Sequence, residues 1–133
     1  MLDLELQARL FPEGLIVVHF DGVLDAHSAD QAERMVRDLF DEGFHRLAFD
    51  LSKLRTLTSA GAGVLIGGIA IAQEAGGDLA LVRPTAHVRQ ILDLLGLSTV
   101  FHICDDTDRA LGYLRRLPSR RSWPIQRSAT PGA

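Results

Sequence analysis

The sequence predicts an α/β protein with a mixed, mostly parallel sheet and helices, in the order ββαβαβαβα. Three observations predict it. Short apolar runs at 15–20, 47–51, 79–82 and 100–103 have the length of strands, and several are β-branched. Between them lie stretches with apolar residues three and four apart, the spacing of one buried helix face. Gly, Pro or clustered acids punctuate the changes. Strand alternating with helix after an initial hairpin implies right-handed crossovers and a parallel sheet.

The elements follow in order. Residues 4–10 alternate apolar and polar, the period of a half-buried strand. Pro12-Glu13-Gly14 is a turn, and Leu15 to Phe20 returns antiparallel. Asp21 to Asp25 leads into a helix for which Ser28 and Gln31 fit a capping box. Ala32, Met35, Val36, Leu39 and Phe40 form its apolar stripe, and Gly43 ends it. Leu47 to Leu51 reads as a buried central strand and residues 52–57 as a connection. A long apolar helix runs from about Ser59 to Ala75, stopped by Gly76-Gly77. Leu79 to Val82 is the next strand. A helix opened by Pro84-Thr85 follows, with Val88, Ile91, Leu92 and Leu95 sharing one face, and Gly96 closes it. Val100 to Ile103 is the last strand. The acids Asp105, Asp106 and Asp108 suit the positive end of a final helix dipole.

The 133 residues make one domain, expected over 1–117, with 118–133 a basic tail expected to be disordered, or pinned through Trp123 and Ile125. Net charge is −3, of which the tail carries +3, leaving −6 for residues 1–117. That balance gives no reason to expect nucleic acid as a partner. Arg115, Arg116, Arg120 and Arg121 read as a solvated basic terminus. Cys104 is the only cysteine, which excludes a disulfide-stapled scaffold. No stretch reaches the roughly 20 apolar residues of a membrane span. The first residues are acidic where a signal peptide is basic, so the expected compartment is the cytoplasm.

The most unusual segment is Leu57 to Gly68, LTSAGAGVLIGG. Thr58 suits an N-cap, and the free amides beyond it would attract an anion. A dinucleotide fingerprint fails because Ile66 stands at the third glycine position. A P-loop fails for want of lysine. The glycines therefore read as close-packing positions. Ala62, Leu65 and Ile69 share one face, expected to meet the sheet. Val64 and Ile71 lie away from it, as a second apolar strip offered to a partner or packed against a neighbouring helix.

With its flanks the segment resembles the STAS domain family, which includes the bacterial anti-sigma factor antagonists. The likeness covers roughly residues 4–116. Gly22-Val23-Leu24-Asp25 matches the family's G-x-L-D element, and Asp50-Leu51-Ser52 its D-L-S element. Pro84, Val88 and Leu92-Asp93-Leu94-Leu95-Gly96-Leu97 match a later run. The fourth piece is D-S-S/T-G-x-G at the long helix start, aligned on Gly61 and Gly63.

The resemblance implies a protein that regulates transcription by binding, with no enzymatic activity and no cofactor. It implies an anti-sigma factor or related kinase-fold protein as partner. In the family the kinase phosphorylates the Ser or Thr before the first Gly, and a phosphate of about −1.5 to −2 charges disrupts the interface. This chain departs from that pattern. Thr58 stands for Asp, Ser59 for the first Ser, and Ala60 at the phosphoacceptor position. Either the switch is held in its binding form or controlled by other means, or Ser59 or Thr58 serves as acceptor. A one-residue shift turns a side chain about 100° around a helix, which favours the former. Partner contact falls to Asp25, His27, Thr58, Ser59, Gly61, Gly63, Val64 and Ile71; for Asp25 and His27 the alternative is an ordinary solvated loop. STAS domains also serve stressosome-like, two-component and lipid-transport assemblies, or sense small molecules or nucleotides, and those readings stay open.

No metal site is expected, because no two of the five histidines pair at helical spacing. Ser59 has no evident base and no G-x-S-x-G elbow exists, so no hydrolase triad is expected. A homodimer through a strand edge or the apolar strip is compatible with the sequence, although no charge or heptad pattern read along the chain points to one.

Overall fold

A computed structural model describes residues 3–118. The elements are β1 (Leu4–Phe11), a 3₁₀ turn (Pro12–Gly14), β2 (Leu15–Leu24), α1 (Ala29–Asp41), β3 (Arg46–Leu57), α2 (Ser59–Glu74), β4 (Asp78–Val82), α3 (Ala86–Leu94), β5 (His102–Cys104) and α4 (Thr107–Arg115). This is the predicted order. The sheet runs β1-β2-β3-β4-β5, antiparallel between β1 and β2 and parallel elsewhere. The basic tail and its Trp123 and Ile125 lie outside the described residues.

The pleat sends successive side chains to opposite faces, so each strand feeds two cores. On one face Ile16, Val18, Phe20, Leu47, Phe49 and Leu81 pack under α1, α2 and α3. On the other, Leu15, Val17, Ala48, Ala80 and Val82 pack under α4 through Ala110, Leu111 and Leu114. Burial on both faces explains the unbroken apolar runs of β2 and β4. β1 differs, because the core beneath it thins out. Leu4 is buried and Leu6 half-buried, but Ala8 and Leu10 are exposed.

Three local expectations are corrected. Residues 52–57 are not a connection: they continue β3, with Leu54 and Leu57 buried. They pair with an extension of β2 that the sequence had suggested was already turning toward α1. The last strand is His102–Cys104, starting two residues and ending one residue later than expected, and Val100 is exposed. The capping box does not form, since Ser28 has αR backbone angles and makes no side-chain cap bond. Its hydroxyl donates to the Val23 carbonyl at 2.7 Å, and Gln31 donates to the Leu4 carbonyl at 2.8 Å. Both side chains satisfy strand carbonyls that would otherwise be left short of a partner.

Candidate functional site

The register shifts between His19 and Asp21, and again between Gly22 and Val23, carry β2 onward so that Leu24 pairs with Leu57. Two strands that end on the same pair deliver their next residues side by side. The Asp25 loop and Thr58 therefore leave the sheet together. Thr58 N–H donates to the Leu24 carbonyl at 3.1 Å, which ties the two exits. Gly61 lets the α2 start close on them. A Cβ there would sit 2.3 Å from the Leu24 carbonyl oxygen, a distance that no side chain tolerates. Gly61 is thus buried, while Thr58, Ser59, Ala60 and Gly63 are exposed.

Thr58 is the N-cap that the sequence suggested. Its backbone is extended and its hydroxyl accepts from Gly61 N–H at 3.3 Å. No acid occupies the first turn of α2, so no side chain there offsets the positive end of its dipole. Across the mouth, Asp25 is half-buried and turned onto its own loop. One carboxylate oxygen accepts from His27 N–H at 2.9 Å and Ser28 N–H at 3.0 Å, with the Ser28 hydroxyl oxygen 3.2 Å away. These bonds, the Ser28 amide first, hold its pKa below the ordinary carboxylate value against a smaller upward push from burial. His27 is exposed beside it.

A groove of about 170 Å³ runs from this mouth between α1 and α2. Val36 and Phe40 line it from α1, and Ala60, Gly63, Val64, Gly67 and Ile71 from α2. Gly63 and Gly67 leave open space where side chains would stand. Glu33 and Arg37 rim it and pair at 2.7 Å. Neither Thr58 nor Ser59 reaches it. The two apolar residues assigned to one strip differ in exposure. Val64 packs into the main core and is 9% exposed, whereas Ile71 is 39% exposed. Sequence reasoning overlooked the Glu33–Arg37 rim and Ile66, which is 45% exposed on another side of α2. The Glu-to-Arg spacing of four was a readable signal for the rim.

Within the D-L-S element Asp50 lies on the α4 side of the sheet, away from the groove, while Leu51 is buried in the core under α1, α2 and α3. Asp50 is buried, accepts from Ser52 N–H at 2.9 Å, and lies 3.2 Å from His19 Nδ1 and 3.9 Å from Arg83. Among the described residues, no three His, Cys, Asp or Glu side chains gather as metal ligands. No helix there is long and apolar enough to cross a membrane.

Comparison with known proteins matches residues 8–110 to the STAS domain. The chain belongs to the STAS domain family. The STAS domain is 31% identical over 103 residues to an anti-sigma F factor antagonist of Paenibacillus polymyxa, covering 74% of this chain and 85% of the relative. Its fold matches that of the anti-sigma factor antagonist SpoIIAA in its unphosphorylated form. The TM-score is 0.75 at 19% identity, over 86% of this chain and 100% of the other. The Bacillus cell fate determinant SpoIIAA in its phosphorylated form gives a TM-score of 0.67 at 18% identity, over 84% and 100%. Within the STAS domain, then, Ala60 lies at the junction of the α2 mouth and the α1–α2 groove, and Asp25 flanks the same mouth.

Proposed function

We propose that this STAS domain acts by binding an anti-sigma factor or related kinase-fold protein at the α2 mouth, as a non-catalytic regulator of transcription working in the cytoplasm. Thr58, Ser59, Gly63, Ile71 and His27 would meet the partner. Gly61 and Asp25 would shape the surface from beneath, and Val64 would floor the groove.

The observation that carries this reading is the placement of Ala60. It is exposed, it lines the head of an apolar groove, and it has no hydroxyl. A phosphate cannot be added there, so phosphorylation at that position cannot drive the partner off. Neither neighbour substitutes readily. The Thr58 hydroxyl caps Gly61, and Ser59 lies about 100° around the helix from Ala60, outside the groove. The domain is then held in its binding-competent form.

The test is incubation with a cognate anti-sigma kinase and ATP, followed by intact-mass measurement and a binding titration. Wild type should bind and keep its mass, and Ala60→Ser should gain one phosphate and release the partner. A phosphate on wild-type Ser59 or Thr58 would defeat the held-switch reading. Absence of binding would defeat the partner assignment.

A further inference from the structure

We infer that β1 is a homodimerisation edge, pairing antiparallel with β1 of a second copy of this chain about a two-fold axis through Gln7. β1 is one edge of the sheet and is eight residues long, against three for β5 at the other edge. An unpaired strand of that length presents a row of amides and carbonyls ready for another strand. At its start the Leu4 carbonyl already accepts from Gln31, so the open row of β1 begins beyond it.

Charge decides the occupant. A two-fold axis normal to the sheet joins β1 to its copy without exchanging the sheet faces. Facing residues then share a face, which restricts the pairing to registers whose residue numbers sum to an even value. With the axis at Gln7, Glu5 faces Arg9 of the second copy and Arg9 faces its Glu5. Among the described residues neither makes an ion pair, and both are exposed. On the other face Leu6 meets Ala8, and Leu10, 67% exposed, meets Leu4. Shifting the axis to Ala8 sets Arg9 against Gln7 and Glu5 against Phe11, so both charge pairs are lost. Shifting it to Leu6 sets Arg9 against Asp3, which lies outside β1, but leaves Glu5 against the neutral Gln7 and carries Leu10 beyond Asp3. The Gln7 register alone among these three sets both Glu5 and Arg9 against opposite charges and also covers Leu10.

Edge charges ordinarily keep strands apart. Here their order along β1, acid at 5 and base at 9, makes the edge complementary to itself. No β1 residue lines the α1–α2 groove, so the dimer would carry two unobstructed mouths. The inference does not depend on which partner those mouths take.

The test is sedimentation velocity on the full chain across micromolar to millimolar concentration. Wild type should dimerise reversibly. Glu5→Arg and Arg9→Glu should each weaken the dimer about tenfold or more, because each turns two attractive cross-strand pairs into repulsive ones. Mixing the two variants should restore association, since one then presents two arginines and the other two acids. The double exchange Glu5→Arg/Arg9→Glu should also restore it. Far-UV circular dichroism confirms that these exposed changes leave the fold intact. A wild type that stays monomeric at millimolar concentration overturns the inference. So does a dimer that ignores both single changes, or variants that fail to rescue each other.

Discussion

Two glycines in one turn of α2 do opposite jobs, and the difference lies in what a single Cβ would meet. At Gly61 it would strike the backbone of Leu24, which cannot swing aside as a side chain could. Gly61→Ala is expected to cost about 3 kcal/mol or more, since overpacking against fixed atoms exceeds any gain in helix propensity. At Gly63 it would meet nothing within 4 Å. Gly63→Ala is expected to stabilise by roughly 0.5–1 kcal/mol through propensity alone. Urea unfolding of both variants checks the pair, and equal effects would contradict the close approach at Leu24. Asp25 makes a pH prediction. Its folded pKa lies below the ordinary 3.8, so the stability it contributes is complete above that value and is lost as pH falls through the folded pKa. The Tm difference between wild type and Asp25→Asn should therefore hold steady from neutrality to about pH 4 and shrink below it. A difference that does not change with pH would mean the carboxylate charge is not what the loop uses.

Helix α2 is apolar nearly all round, and its neighbours divide that surface between core and groove. Val64 belongs to the core beneath the groove and Ile71 to the open wall. A carboxylate at position 64 would be buried without a partner, so Val64→Asp is expected to destabilise by several kcal/mol, on the order of 3. Ile71→Asp should change stability by about 0.5 kcal/mol while weakening partner binding at least tenfold if the groove is the docking surface. Thermal melts with a binding titration separate the two variants. A helical wheel could group Val64 with Ile71 because they share an arc, but it carries no record of how closely α1 leans in. The same limit explains the capping box at Ser28. The residues fit the pattern but the box does not form, because the Val23 and Leu4 carbonyls that take these side chains come within reach only once the sheet has formed. Thr58 was legible because its cap is satisfied three residues away, by its own helix.

At the scale of the molecule, the strand and helix order could be read from alternation alone, but two family motifs sit elsewhere than the expected strand limits put them: Gly22-Val23-Leu24 lies within β2 and Asp50-Leu51-Ser52 in the middle of β3. What stayed hidden depended on register. The outer half of β3 spaces its buried leucines three apart, at 51, 54 and 57, and so does not show the period of a strand. The self-complementarity of β1 likewise has no meaning until one residue is set opposite another. The domain limit is a question of the same kind, since it depends on where the last packed contact falls. Both clusters of the described residues are filled by position 117, where Leu117 packs against the α4 core. A chain ending at Pro118 should therefore unfold in one cooperative transition, its Tm within about 4 °C of the full chain, because 1 kcal/mol corresponds to roughly 4–8 °C for a domain of this size. Differential scanning calorimetry of the two chains decides it. A larger fall in Tm would assign part of 119–133 to the folded domain and move its boundary beyond residue 117.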